Sequence, residues 1–184
     1  IFGIYIFSGC IVVALAVVSI ILMIFRTKGI LKDIVTVEHF HDLGKLLYGF
    51  NIFWSYIAFC QFFLIWYANI PEETEFFTQH FYGSWSIAAW ILLIGHFFLP
   101  FVFFMSKHFK RNLVYHFCVA GWLGLMHIVD IYWIIMPNLF KKGVQLQFVD
   151  FTLLLGLGFV FFGFFLKKLF SEKLIPIRDP RLDE

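Results

Sequence analysis

One stretch of this sequence decides its fold: residues 113–136 read LVYHFCVAGWLGLMHIVDIYWIIM. It contains no Lys or Arg, and Asp130 is its only acidic residue. A helix that crosses the bilayer needs about 20 predominantly apolar residues, each advancing the helix by about 1.5 Å. The stretch therefore predicts a membrane-spanning helix that carries one carboxyl group inside the bilayer.

Four further stretches are similarly apolar, at residues 1–25, 46–69, 84–106 and 151–166. They lack the regular alternation of a barrel strand. Because proline lacks the N–H that a helix ladder needs, we expect Pro100 to kink the third helix and Pro137 to end the fourth. The predicted fold class is an all-α integral membrane protein with about five transmembrane helices. The predicted organisation is one transmembrane region over residues 1–184, ending in a tail at 167–184.

The composition of the chain also indicates a membrane protein. Of the 184 residues, 61% are hydrophobic, 22% aromatic and 14% charged. Soluble domains are about 45–50% apolar and about 25% charged, and a chain of this length buries only about 70% of its surface on folding. Its cysteines lack the paired spacing of iron–sulfur and c-type haem sites; they are Cys10, Cys60 and Cys118. We therefore expect membrane lipids, and no nucleic acid, around the chain.

The lysines and arginines predict the orientation of the chain. Lys141 and Lys142 fall on one side of the membrane, beside an acidic loop at residues 71–75. The other twelve of the fourteen fall on the opposite side: Arg26, Lys28, Lys32, Lys45, Lys107, Lys110, Arg111, Lys167, Lys168, Lys173, Arg178 and Arg181. Because cytoplasmic loops are enriched in Lys and Arg, we expect the C-terminus in the cytoplasm and the first residue at the outer face.

Two polar residues of the fourth span are the strongest candidates for chemistry. His127 and Asp130 are three positions apart, so they share one helix face and can touch. Polar groups inside hydrocarbon are costly and usually functional, and such a pair suits a proton relay or a hydrogen bond to a quinone carbonyl. Further candidates for this proton path or quinone site are His96, Gln61 and Asp150. The alternative is a structural pair that holds neighbouring helices together.

Two other groups of histidines are weaker candidates. His96 and His127 lie on adjacent spans and could ligate a b-type haem, but His127 is displaced by about 5 Å from the level of His96. Thr36 is a suitable N-cap for a helix that runs on into the second span. On that helix His39 and His41 point about 200° apart, so they cannot chelate one ion together. We therefore predict no metal site and keep a haem anchor as an alternative.

Four stretches of the chain resemble one known family. They are HDLGKLLYGF (41–50), FLIWYANIPEET (63–74), MHIVDIYWIIMP (126–137) and IPIRDPRL (175–182). They are similar to membrane subunits of bacterial alternative complex III, in the NrfD-like or polysulfide-reductase membrane subunit family. The resemblance covers nearly the whole chain from about residue 36. It implies about ten helices, largely in two four-helix bundles, of which the chain would be the C-terminal half.

The resemblance also implies a function and a set of partners. The chain would be a subunit of a quinol:cytochrome c or other electron-acceptor oxidoreductase in the bacterial inner membrane. It would hold no covalent or metal-ligated cofactor and would bind menaquinol or another quinone, or conduct protons. Haem and iron–sulfur groups would belong to partners: an iron–sulfur subunit, a multihaem cytochrome c and a sister NrfD-like subunit. The alternative is a scaffold that anchors the peripheral redox subunits and has no site of its own.

Overall fold

The computed structural model describes residues 1–32, 34–140 and 143–172, and within these ranges its regular structure is helical without strands. Five helices are long and apolar enough to cross a membrane: Phe2–Thr27, Val37–Ala68, Trp85–Met105, Leu113–Leu139 and Phe148–Ser171. The predicted all-α membrane fold is therefore confirmed. Five of the cations used to predict the orientation lie outside the described residues, namely Lys141, Lys142, Lys173, Arg178 and Arg181. The stretch 175–182, which contributes to the family resemblance, also lies outside them.

The chain forms two compact units, Ile1–Val144 and Gln145–Glu184. In the described part of the second unit there is one helix, α8 (Phe148–Ser171). The first unit contains α1 (Phe2–Thr27), α2 (Val37–Ala68), α3 (Pro71–His80), α4 (Trp85–Ile91), a π-helical segment (Leu92–Phe98), α5 (Leu99–Met105), α6 (Lys107–Arg111) and α7 (Leu113–Leu139). The helix α4, the π-helical segment and α5 follow one another without a break and make up the third span.

The second helix begins well before the predicted span at 46–69. Thr36 stands at its N-cap, where the backbone N–H of Thr36 donates to Nδ1 of His39 at 3.1 Å. The helix ends at Ala68, and Asn69 takes a left-handed conformation with φ of 49° before Pro71 opens α3. At 1.5 Å per residue α2 is about 48 Å long, more than the roughly 30 Å of bilayer hydrocarbon. Its first turns therefore extend beyond the hydrocarbon of the bilayer.

The prediction that Pro137 ends the fourth helix is wrong, because Pro137 lies inside α7. Pro137 has no N–H to offer the carbonyl of Trp133 four residues earlier. Two side chains approach the next carbonyl, that of Ile134. Nδ2 of Asn138 donates to this oxygen at 3.2 Å, and Nε2 of His80 on α3 lies 3.2 Å from it. Membrane helices tolerate proline where neighbouring groups satisfy the backbone that it frees. The imidazole of His80 also reaches the backbone of Trp133, and α7 continues for two residues beyond the proline.

The predicted effect of Pro100 takes a different form in the structure. The seven residues before α5 adopt a π-helix, and Pro100 is fully buried near the start of α5. Pro100 has no N–H to offer the carbonyl of His96 four residues earlier. A wider turn accommodates this missing bond, and π-helical turns occur frequently at functional sites. The widened turn carries His96, one of the predicted site residues.

The core of the first unit is an apolar layer between α1, α2, α5 and α7. Its residues are Val12, Ala16, Leu47, Phe104, Ala120 and Leu123, all fully buried or nearly so. A second apolar cluster joins α4 and the π-helical segment to α7 through Trp85 and Trp133. The indole N–H of Trp85 donates to the carbonyl of Phe140 at 3.0 Å. The apolar layer holds the spanning helices together, and polar side chains lie on either side of it.

The helix α8 of the second unit is longer than the predicted span 151–166. It includes the first residues of the predicted tail, and none of its residues is buried. Asp150 lies in its first turn, where Oδ2 accepts a hydrogen bond from the backbone N–H of Gln147 at 3.0 Å. Near the other end, Nζ of Lys168 lies 2.7 Å from Oε1 of Glu172. Asp150 therefore caps a helix start.

Candidate functional site

A fully buried carboxyl group, that of Asp130 on α7, lies at the centre of the candidate site. The hydroxyl of Tyr5 on α1 donates to its Oδ1 at 2.5 Å. Nδ1 of His127 lies 3.6 Å from Oδ2, beyond hydrogen-bond length but within ion-pair distance. Oδ2 and this Nδ1 have no hydrogen-bond partner in the described part of the chain. One carboxyl oxygen is thus bound, and the other is available to a proton or a donor.

The imidazole of His127 packs directly on the backbone of α1 at Gly9. A Cβ atom at Gly9 would lie 2.9 Å from Nδ1 of His127, and closer still to Cε1. Real Cβ atoms do not approach other atoms so closely, so any side chain at this position must displace the ring. Gly9 therefore lets α1 and α7 approach, and it helps to place His127 beside Asp130.

His96 is the third residue of the cluster and lies in the π-helical segment. It is fully buried, and neither ring nitrogen has a partner among the described residues. Its ring centroid is 6.2 Å from that of His127 and 3.9 Å from that of Trp54 on α2. The indole N–H of Trp122 on α7 donates to the carbonyl of Gly95 at 2.7 Å. This bond ties the wide turn to α7 and holds His96 near His127.

A cavity of about 690 Å³ adjoins the cluster within the first unit. Its walls are mainly aromatic and include Phe59, Phe62, Phe77 and Phe97. Tyr5 and Trp54 also line it, so the residue that binds Asp130 belongs to the cavity wall as well. Gln61, which is buried, is one of the few polar residues in the lining. The cavity is thus a mainly apolar pocket, and its wall contains the phenol ring of Tyr5, whose hydroxyl is hydrogen-bonded to the buried Asp130.

The structure brings together three of the five predicted site residues: His96, His127 and Asp130. Gln61 contributes to the cavity wall, and no described hydrogen bond joins it to Asp130. Asp150 belongs to the second compact unit, where its carboxylate caps α8. The candidate site of the first unit therefore comprises the three clustered residues and the wall that contains Gln61.

Sequence reasoning missed Tyr5, Gly9 and Trp54, which complete the site. The spacing of Tyr5 and Gly9, four residues apart, places them on one face of α1. Their polar and small side chains interrupt an otherwise apolar run, which is the only signal that the sequence offered. Asn51, one turn from Trp54 on α2, is also buried with both amide atoms unpartnered in the described chain. An unsatisfied buried group costs roughly 1–3 kcal/mol, so Asn51 places an unfavourable polar group one turn from Trp54.

The arrangement does not fit the b-type haem considered as an alternative. A macrocycle between His96 and His127 needs an open slot between the two rings, and neither histidine lines the cavity. Trp54 packs against His96, and the backbone at Gly9 packs against His127. The described residues contain no group of three or more His, Cys, Asp or Glu side chains that could hold a metal ion.

The chemistry that the cluster can perform is proton exchange with a molecule in the cavity. A phenol on the wall, a carboxyl group behind it and two imidazoles beyond it form a sequence of groups that can each bind or release a proton. The chain matches no protein-family model, and no curated protein shows significant similarity to it.

Proposed function

We propose that the chain is a membrane subunit of a quinol-oxidising respiratory complex, and that Asp130 accepts a proton from a quinol bound in the aromatic cavity. One observation carries the proposal: Tyr5 lines the cavity and donates a hydrogen bond to Asp130. A ligand bound in the cavity could therefore exchange a proton with Asp130 through the hydroxyl of Tyr5. The subunit would be of the ActF type within the NrfD-like family.

The shape and polarity of the cavity favour a quinol. Small-molecule sites usually enclose about 300–1,000 Å³ and combine an apolar lining with a few polar groups. This cavity falls in that range, and its aromatic walls suit a flat ring with an apolar tail. The hydroxyl of Tyr5 and the amide of Gln61 are the groups we assign to the two quinol oxygens. Two polar groups are needed because a quinol has a hydroxyl at each end of its ring, and each hydroxyl requires a hydrogen-bond partner.

The proposed reaction moves protons and electrons along separate routes. Quinol becomes quinone by losing two protons and two electrons. Tyr5 takes the first proton from a quinol hydroxyl as it passes its own proton to Asp130, and His127 offers the next acceptor. The second proton follows the same route once Asp130 has released the first. The electrons leave to an iron–sulfur group in a partner subunit, the acceptor class that the family resemblance implies.

Two further observations support the assignment to a respiratory complex. The stretches 41–50 and 126–137 resemble NrfD-like subunits, and the second of them contains His127 and Asp130. The excess of Lys and Arg on one side supports a cytoplasmic C-terminus, and the resemblance to bacterial subunits is the basis for the proposed inner-membrane location. We assign the haem and iron–sulfur groups to the partners, namely the iron–sulfur subunit, the multihaem cytochrome c and the sister NrfD-like subunit.

Proton conduction across the membrane is a second candidate function. It is favoured by Asn51 and Ser19, which are buried and have side-chain atoms without hydrogen-bond partners among the described residues. Buried polar groups of this kind attract internal water, which can carry protons. The fully buried side chains of Leu47 and Leu123 belong to the apolar layer that separates Asp130 from the opposite end of the unit. A quinol site that exchanges protons locally is therefore the leading proposal.

The variant Asp130→Asn tests the proposal because it keeps the size of the side chain and removes its acidity. In the assembled complex we expect quinol oxidation to fall by about 10²-fold or more, the scale of general acid–base catalysis, with assembly unchanged. The matched control is Asp150→Asn, which alters a carboxylate that caps α8 and should keep turnover. Full turnover in Asp130→Asn would contradict the proposal. Loss of assembly with normal turnover of the assembled fraction would indicate the scaffold function instead.

A further inference from the structure

A second polar cluster lies across the apolar layer from Asp130, where α1 ends, α2 begins and α6 packs beside α7. We call it the basic cluster and define it as Arg26, His41, Lys110 and His116. His116 is fully buried, and His41 and Lys110 are 8% and 9% exposed. Lysine is rarely buried to this extent unless it is paired. A lysine buried to this extent needs a partner for its charge.

Gly44 on α2 brings two members of the basic cluster together. A Cβ atom at Gly44 would lie 3.1 Å from Cγ of Lys110 and 3.4 Å from Cε1 of His116. Both side chains thus rest on the same point of the α2 backbone. The ammonium group of Lys110 continues along α2 to a position 5.0 Å from the ring centroid of Tyr48, a cation–π distance. The stem of Lys110 is buried, and its charged end points along the helix.

Phe40, one turn earlier on α2, connects Arg26 to the same cluster. The guanidinium carbon of Arg26 lies 5.9 Å from the centroid of the Phe40 ring, and the ring of His116 lies 6.0 Å from it. Arg26 and Lys110 therefore lie on either side of His116 along one face of α2. Their charged ends lie beside different turns of α2, the guanidinium at Phe40 and the ammonium at Tyr48.

The carboxylates described at this end of the unit are already paired with other cations. Residues 26–45 and 107–111 contain seven lysines and arginines, but their described carboxylates are those of Glu38 and Asp42. Nη2 of Arg111 donates to both oxygens of Glu38, at 2.9 and 3.0 Å. Nζ of Lys45 donates to Asp42 at 2.8 Å. Within the described residues, Arg26 and Lys110 thus have no carboxylate partner.

Several atoms of the basic cluster are also unsatisfied. Nη1 of Arg26 and Nδ1 of His41 are buried and have no hydrogen-bond partner in the described chain. Burial lowers the pKa of the Lys110 ammonium, and the charge of nearby Lys45 lowers it further. Burying part of a cation that has no counter-ion among the described residues is unfavourable, as for Nη1 of Arg26. An anion bound here would remove that cost.

We infer that the basic cluster binds the phosphate of an anionic membrane phospholipid. Basic pockets between transmembrane helices bind lipid head groups in this way, and a lysine attracts phosphate as a point charge. Met105 and Val114 flank α6 and are exposed apolar residues, on which the acyl chains can pack. These flanking residues favour a lipid over free phosphate. The site is independent of the quinol cavity.

Titration of the purified full chain with lipid, in a neutral detergent, tests the inference. The three probes are a phosphatidylglycerol, a phosphatidylcholine with the same acyl chains, and inorganic phosphate at equal concentration. We expect phosphatidylglycerol to raise the melting temperature because a ligand stabilises the folded state that binds it. Phosphatidylcholine should raise it much less, and inorganic phosphate should leave it unchanged. Equal shifts with the two lipids, or a phosphate shift as large as that of phosphatidylglycerol, would overturn the assignment.

Variants of the cluster make the test specific. Lys110→Gln should bind phosphatidylglycerol at least about fivefold more weakly, the contribution of one lysine near a membrane surface. Lys107→Gln, on the same short helix but exposed, is the matched control and should bind as the wild type does. If Lys110→Gln does not fold, Arg26→Gln provides the same comparison, and Lys110→Arg should restore binding. Unchanged affinity in whichever of Lys110→Gln and Arg26→Gln folds would contradict the inference.

Discussion

The two polar clusters of the first unit differ in how their buried charge is satisfied. Asp130 receives a hydrogen bond from Tyr5 of the chain itself, and its second oxygen faces a histidine. Lys110 and Arg26 have no carboxylate partner among the described residues, because the carboxylates nearby are paired with other cations. The first cluster is thus satisfied in part by groups of the chain, and the second has no carboxylate partner among the described residues. The difference supports the two proposals, proton exchange at the first cluster and anion binding at the second.

The distance between the clusters makes them separable by experiment. Along α7, Asp130 and His116 are about 21 Å apart at 1.5 Å per residue. Leu47 and Leu123, both fully buried, belong to the apolar layer between them. Changes at sites so far apart, with no shared partner, usually have additive effects. A substitution in one cluster should therefore leave the function of the other intact.

Tyr5→Phe should have the largest effect of the substitutions that spare Asp130. It removes the hydroxyl that donates to Oδ1 at 2.5 Å and keeps the ring on the cavity wall. A hydrogen bond to a charged group contributes about 1.5–3 kcal/mol, which corresponds to a loss of turnover of roughly 10- to 100-fold. Quinol oxidation by the assembled complex measures this loss.

The matched control for this variant is Tyr67→Phe. Tyr67 lies on the same helix as Trp54, its side chain is exposed, and it does not line the cavity. Its loss should leave turnover within about twofold of the wild type, as for most surface substitutions. If the two tyrosine variants lost activity equally, the link from the cavity to Asp130 would have no support.

Gly9→Ala should have an intermediate effect, through the position of His127. The added Cβ would lie 2.9 Å from Nδ1, so the ring or α1 must move. Overpacking of this kind costs about 1–3 kcal/mol, and we expect lower thermal stability together with reduced turnover. Gly3→Ala is the control on the same helix, since nothing lies within 4 Å of the corresponding Cβ. A Gly9→Ala protein with unchanged melting temperature and turnover would refute the tight contact between α1 and His127.

Lys110→Gln should have the smallest effect on turnover, because the basic cluster lies beyond the apolar layer. We expect weaker binding of phosphatidylglycerol and quinol oxidation within about twofold of the wild type. Lys110→Gln should therefore lose lipid affinity and keep its turnover, whereas Tyr5→Phe should lose turnover and keep its lipid affinity. A parallel loss of turnover and lipid binding in both variants would mean that the two clusters act as one site.

The sequence predicted what depends on local pattern. The apolar runs are long enough to reveal the spans, and the spacing of His127 and Asp130 places them on one face whatever surrounds them. The end of α7 was predicted wrongly because the groups that approach Ile134 near Pro137 include His80, which belongs to a different helix. A pattern within one segment contains no information about such partners.

The parts of the site that escaped prediction depend on packing between helices. The role of Tyr5 depends on which face of α1 meets α7, and that of Gly9 on how closely the two helices approach. His96 was identified from its place in the third span, but its orientation follows from a π-helical turn associated with Pro100. The distribution of cations predicted a basic side of the membrane. That the burial of Lys110 relies on Gly44 became evident only from the structure.

Infrared difference spectroscopy of the assembled complex tests the central claim most directly, because it observes the protonation of a carboxyl group while quinol is oxidised. We predict that a band of a protonated carboxyl group appears on addition of quinol, persists in Asp150→Asn and is absent from Asp130→Asn. Assembly should be equal in the three proteins. The same band in Asp130→Asn would contradict the account, because the proton of the quinol would then be accepted elsewhere.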